Sequence, residues 1–122
     1  MTDSEILRLI EEAPSSAPAV RVKYRGLSIC VVMASWNEEG KVGYGVQSVS
    51  KKNVDSVVVV NNGSKDSTSK EAHGAGAIVI DHPINLGAGG GYRTGWLYGY
   101  EKNFDLIVEL AGDNQDDPND IP

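Results

Sequence analysis

The stretch Ser56 to Thr68, SVVVVNNGSKDST, combines polar residue types with a spacing that sets them at the rim of a sheet. Val57 to Val60 is an unbroken β-branched run, too short for a buried helix and bounded by turn formers. That suits a strand covered on both faces, as in a parallel sheet. It runs into Asn61-Asn62-Gly63-Ser64, a turn whose glycine can take φ > 0 and whose amides can bond the local backbone. Asp66 and the Thr68-x-x-Glu71 pair then read as a helix start. A buried strand that ends in a Gly turn and feeds a helix sets polar groups at the carboxyl edge of a sheet. Open α/β sheets bind their ligands there. Any βα loop shares this form, so the stretch gives a place for chemistry before it gives the chemistry.

Composition narrows the ligand. A net charge of −6 and a pI near 4.8 argue against a nucleic-acid or anionic-membrane partner. The same field repels a nucleotide, which would need local cations or a metal. The 122 residues allow one domain with one core, and 14 glycines point to many tight loops. The single cysteine, Cys30, sits in an apolar run and reads as a buried thiol in a reducing compartment. No membrane-length apolar run and no basic-then-apolar leader occur, so the expectation is a soluble, cytoplasmic chain, with a membrane-associated parent left open.

The elements that would position these groups follow in order. Residues 4–13 form an amphipathic helix with Ile6, Leu7 and Ile10 on one face, and Pro14-Ser-Ser-Ala-Pro18 reads as a linker. Residues 1–26 are thus expected to be an N-terminal helix and linker, an appendage outside the main fold at 27–122. Leu27 to Met33 reads as a buried strand. Ser35-x-x-Glu38 fits a capping box and Asn37 is an alternative cap, so a helix is expected from Glu38, with Val42, Val46 and Val49 at helical spacing. Gly40, Gly43 and Gly45 weaken it by roughly 1 kcal/mol each. After the Ser56–Val60 strand come a helix over 67–75 and a strand over 77–80. The loop from His82 to Gly91 opens a further helix with Tyr92, Trp96, Leu97 and Tyr100 on one face. Phe104 to Leu110 is the last strand. His73 and His82 are isolated and read as surface or loop residues. The order βαβαβαβ indicates a parallel α/β sheet with flanking helices and right-handed crossovers. The sequence stops where Asp117-Pro118 would start another helix, so the fold is expected to be truncated with an open sheet edge through which copies self-associate.

Phosphate-binding patterns discriminate further. The P-loop pattern G-x-x-x-x-G-K-S/T is absent. The dinucleotide fingerprint needs G-x-G-x-x-G after the first strand, but Gly87-x-Gly89 is followed by Tyr92 and comes after the third. A third pattern fits. Met33-Ala-Ser-Trp-Asn-Glu-Glu39, Val60-Asn-Asn-Gly-Ser-Lys-Asp-Ser-Thr68, Asn85-Leu-Gly-Ala-Gly-Gly-Gly-Tyr-Arg-Thr-Gly95 and Ala111-Gly-Asp-Asn-Gln-Asp-Asp-Pro118 follow successive strands. From Leu27 to Pro122 the chain resembles the family 2 glycosyltransferases, near the dolichyl-phosphate mannosyl/glucosyltransferase type. The resemblance implies a Rossmann-like GT-A nucleotide-diphospho-sugar transferase fold.

Carried over residue by residue, the resemblance implies a site with several departures. After the first strand Trp36, Asn37 and Glu38 match, while Ala34 stands in place of a proline. Trp36 could stack on a base or plug the sheet edge. Asn61 and Asn62 replace two aspartates; an amide accepts through its oxygen but carries no charge. Gly63, Ser64 and Asp66 match, with Asp66 equally suited to capping a helix. Gly87 and Gly89 would let backbone approach a diphosphate at a helix N-terminus, and Arg93 would add a fork of donors. Gly91 replaces an alanine. In the metal motif Ala111 replaces the first aspartate, which leaves Asp113, with Gln115 as a further oxygen, to hold Mg²⁺ or Mn²⁺. Asp116 and Asp117 suit a helix start before Pro118.

By the same resemblance, an acceptor hydroxyl attacks the anomeric carbon while metal and Arg93 neutralise the leaving diphosphate. The general base comes from the family's second half, and none stands out here. The expected function is the donor-binding half of a glycosyltransferase that moves a sugar from a nucleotide diphosphate to a lipid phosphate or glycan. The alternative is a non-catalytic nucleotide-diphosphate-binding or interaction module. A sugar-nucleotide pyrophosphorylase would need a Gly-rich, Arg-containing loop where Ala34-Ser-Trp-Asn37 stands.

Overall fold

The computed structural model describes residues 1–14, 26–50, 52 and 54–111. Its elements are α1 (Asp3–Glu12), β1 (Ile29–Ser35), α2 (Val42–Ser50), β2 (Ser56–Asn62), α3 (Thr68–Gly74), β3 (Ile78–His82), α4 (Gly87–Glu101) and β4 (Leu106–Ala111). The four strands form one parallel sheet in the order β3-β2-β1-β4. β1 and β2 are central, and both are β-branched runs buried on both faces, as the valine-rich sequence demands. Strands step outward from β1 to β3, then the chain crosses back to lay β4 against the other side of β1. The order therefore reverses between β1 and β4, the place where open α/β sheets form a crevice.

The two faces are built differently. On one, Val42, Val46 and Val49 of α2 and Ala72 of α3 meet Val31, Met33, Val57 and Val59. On the other, α4 presents Gly91, Gly95 and Gly99 to the sheet. A methyl group on Gly95 would lie 2.0 Å from Val32 Cγ1, so the helix rests on the strand with backbone alone. The aromatic face of α4 expected from periodicity is not its sheet-facing one. Trp96 and Tyr100 are exposed, while Tyr98 is fully buried beside the glycines.

Other expectations shift too. The first helix is no appendage: Ile6 and Ile10 are buried in the same cluster as Cys30, Val32 and Val58, and the Tyr98 hydroxyl donates to the Pro14 carbonyl at 2.6 Å. Thr2 and Glu5 form a reciprocal capping box at its start. The Ser35-x-x-Glu38 box does not form, because Ser35 belongs to β1 and its Oγ is buried without a hydrogen-bond partner among the described residues. The Glu38 amide donates instead to Thr68 Oγ1 at 2.8 Å, and α2 begins only at Val42. Asn61 and Asn62 extend β2 rather than turning, β3 runs on to include His82, and the glycines of the expected 82–91 loop are helical from Gly87. β1 and β4 also start and stop about two residues later than read, Ser35 and Ala111 being their last residues. Among the described residues no helix is long and apolar enough to cross a membrane.

Candidate functional site

The first three βα loops meet at the carboxyl edge through side chains that bind backbone. Asn37 takes φ 51°, a left-handed conformation asparagine tolerates. This lets its amide donate to Ser64 Oγ at 2.9 Å while its Oδ1 accepts from the Lys65 amide at 3.0 Å. Asp66 accepts from the Glu39 and Thr68 amides, and its hydrogen bond with the Thr68 hydroxyl holds its carboxyl below the usual range. Glu71, expected in a capping box with Thr68, reaches across instead. Its two oxygens accept from the Gly40 and Gly43 amides at 2.9 Å each, supplying the negative charge that the start of α2 favours. Trp36, between the end of β1 and this laced loop, has about half its surface exposed.

Asn61 and Asn62 alternate across the sheet. Asn61, on the α3 face, donates to Asp81 Oδ1 at 2.9 Å and accepts from the Ser64 amide at 3.3 Å. A carboxylate at 61 would face Asp81 with like charge, so the amide is the residue this neighbour calls for. Asn62, on the α4 face, accepts from the Leu86 amide and donates to the Gly87 carbonyl at 2.8 Å. Gly63, at φ 78°, lets the turn press against the Ile84–Asn85 backbone, where a methyl would come within 2.5 Å of Asn85 N. Leu86 gives no side-chain cap to α4, and a methyl on Gly87 or Gly89 would meet nothing within 4 Å. The helix start is thus open, glycine-lined and fixed from below. Ala34 and Gly91, both departures from the resemblance, face each other: a methyl on Gly91 would lie 3.0 Å from Ala34 Cβ.

Arg93 lies nearly two turns into α4 and pairs with Asp3 of α1 at 3.0 Å, with both side chains exposed. It also lines a groove of about 460 Å³ with Gly89, Tyr92, Trp96 and Glu109. Asn62 and Gly63 thus touch the segment that opens α4, Glu38 and Asn61 are bonded into the neighbouring loops and β3, and Arg93 is held toward α1. Asp113, Gln115, Asp116 and Asp117 lie outside the described residues. Among the described residues no cluster of three His, Cys, Asp or Glu gathers to hold a metal. The reading of His82 as a surface or loop residue is overturned: it is 3% exposed and bonded through both ring nitrogens. Its signal was the alternation Ile78, Ile80, His82 on one strand face.

The model of the family described as Glycosyl transferase family 2 matches residues 30–122. An uncharacterised protein of Methanocaldococcus jannaschii is 34% identical over 93 residues, which cover 76% of this chain and 38% of that protein. UDP-N-acetylglucosamine–dolichyl-phosphate N-acetylglucosaminyltransferase of Methanococcus voltae is 29% identical over 110 residues, covering 76% of this chain and 44% of that enzyme. Glucosyl-3-phosphoglycerate synthase from Mycobacterium tuberculosis, solved with Mn²⁺, UDP-glucose and phosphoglyceric acid, matches with a TM-score of 0.58 at 25% identity. That likeness covers 72% of this chain and 34% of the synthase. The chain spans less than half the length of each of these relatives. Its parallel sheet with flanking helices is a GT-A glycosyltransferase fold. With the matched region running from the second residue of β1 to Pro122, and so taking in every strand of the sheet, the chain belongs to glycosyl transferase family 2.

Proposed function

We propose that the carboxyl edge of this sheet holds the nucleoside diphosphate of an activated sugar. The chain then serves as the donor-binding part of a glycosyltransferase acting on a lipid-phosphate or glycan acceptor. The observation that carries the reading is the glycine-lined start of α4, a 15-residue helix whose dipole and first-turn amides beyond Gly87, whose own amide donates to Asn85 Oδ1, favour an anion. Trp36 would stack on the base beside Asn61, and Arg93 would exchange Asp3 for a phosphate oxygen, since an exposed ion pair contributes little. A divalent ion, Mg²⁺ or Mn²⁺, would be held by Asp113 and Gln115 and would supply countercharge to the diphosphate. The buried Cys30 thiol fits a cytoplasmic setting.

Calorimetric titration with UDP and GDP, with and without Mn²⁺, tests this. Binding of one of them at sub-millimolar concentration, tightened by Mn²⁺, is expected. No binding at millimolar nucleotide removes the reading. The second reading, a nucleotide-binding module without transfer, is favoured by Asn61 and Asn62, whose amides are committed to internal partners where the resemblance expects carboxylates. Transfer from a panel of nucleotide sugars by the longest natural form of the protein separates the two.

A further inference from the structure

Under the first turn of α4 lies a buried polar relay that no role above accounts for. His82 ends β3 on the α4 side of the sheet. Its Nδ1 lies 2.9 Å from Asn62 Oδ1, and its Nε2 lies 2.8 Å from Thr94 Oγ1. The surrounding backbone fixes the protons. Leu86 N–H can only donate and Gly87 C=O can only accept, so Asn62 presents Oδ1 to the first and Nδ2 to the second. His82 must then donate from Nδ1, and neutral imidazole accepts the Thr94 hydroxyl at Nε2. Burial favours this neutral form and lowers the His82 pKa; the Met1 amino group adds to the effect and Asp81 opposes it. Among the described residues, Glu5 and Arg8 of α1 line a groove together with Met1, Asp81 and His82.

The relay grips the loop at several points. Asn62 holds Leu86 N, Gly87 O and, at 3.3 Å, Asn85 Oδ1, which itself accepts from the Gly87 amide. The single Thr94 hydroxyl proton goes to His82 Nε2, so Thr94 ties the imidazole to α4, and its 3.2 Å approach to the Gly90 carbonyl adds no second hydrogen bond. His82 is hydrogen-bonded to both other side chains, so it ties β2 to α4 beneath the glycines. The relay also accounts for Asn62. A carboxylate there would face the Gly87 carbonyl and Asn85 Oδ1 with no proton to give.

We propose that His82 is a positioning residue for the donor diphosphate, acting through Asn62 on the Leu86–Gly87 backbone and through Thr94 on α4 to hold the helix start where phosphate oxygens meet it. This rests on the reading of the α4 start as the diphosphate site. The test compares His82→Leu, which removes both bonds, with His82→Asn, which keeps a donor toward Asn62. Each is titrated with whichever of UDP and GDP the native chain binds more tightly, with Mn²⁺, and with the matching nucleoside by ligand-detected NMR. His82→Leu should bind the diphosphate at least tenfold more weakly with nucleoside affinity unchanged, and His82→Asn should recover most of the loss. An equal loss for nucleoside and diphosphate, or an unchanged diphosphate affinity in the folded variant, overturns the proposal while leaving the donor site standing. If His82→Leu does not fold, Thr94→Val should show the same selective loss at about threefold, and its absence overturns the proposal equally. A native chain that binds neither nucleotide overturns the donor site, and this inference with it.

Discussion

The two faces of the sheet solve the same packing problem with opposite means. On the α2/α3 face, branched side chains fill the space between helix and sheet, and Val42, Val46 and Val49 are all fully buried. On the α4 face Tyr98 and the α1 isoleucines fill the flanks, but along the line of contact glycines let backbone touch side chains of β1 and β4. Side-chain filling tolerates adjustment, because a lost methyl leaves a cavity that neighbours can partly close. Bare contact has no such slack. The faces also hold their loops differently: Ser64, Asp66, Thr68 and Glu71 lace the β1–α2 loop from outside, whereas Asn62 and His82 hold the α4 start from beneath. The glycine face therefore fixes the helix start at which the anion site is proposed, and the valine face is where stability is spread over many contacts.

The sharpest way to break this contrast is one methyl group on each face. Gly95→Ala places Cβ against Val32 and should lower stability by about 3 kcal/mol or more, as overpacking does at its upper range. Val46→Ala on the opposite face should cost about 2 kcal/mol. Denaturant unfolding that ranks them the other way would mean that α4 shifts freely on the sheet. A smaller effect is expected from pH. Because His82 has a lowered pKa when folded, the unfolded chain takes up its proton first, so its contribution is full above about pH 6.5 and is lost as pH falls below it. The slope cannot exceed about 1.4 kcal/mol per pH unit for one group. Stability measured from pH 8 to 5 should fall less steeply in His82→Asn; equal slopes would show that the imidazole is not held neutral. The smallest effect is expected at the surface. Asp3→Ala should change stability by no more than about 0.5 kcal/mol, since the Asp3–Arg93 pair is exposed, yet it should tighten diphosphate binding if Arg93 is drawn to the donor. A large loss of stability would show that this pair anchors α1.

What the sequence makes legible follows the same division. The β-branched runs at Val31–Val32 and Val57–Val60 announce buried parallel strands, and the valine spacing 42, 46, 49 announces the helix that covers them. Apolar periodicity does this well because side chains carry the signal. It misplaces the faces of α4 because glycine carries none: the Gly91, Gly95, Gly99 repeat is the buried stripe, while of the aromatic residues that periodicity finds, Trp96 and Tyr100 lie outward and Tyr92 is half-buried at the edge. The order of polar loop motifs reveals the family. It cannot reveal that Asn61 answers to Asp81, or that Glu71 caps a helix other than its own, because each pairing joins residues about 20 or more apart in sequence. The ends of β1 and β2 are also extended by polar residues, Ser35 and the two asparagines, which propensity assigns to turns.

Cys30 sits at the second position of β1 with neighbouring strands on both sides, is 0% exposed, and has its pKa pushed up to about 12 by burial. A thiol so enclosed and so rarely ionised is silent to alkylating reagents while the protein is closed. Its rate of labelling is consequently a built-in clock for separation of the central strands, readable without adding a probe. A ligand clasped by the rim loops slows that clock in proportion to how tightly it is bound.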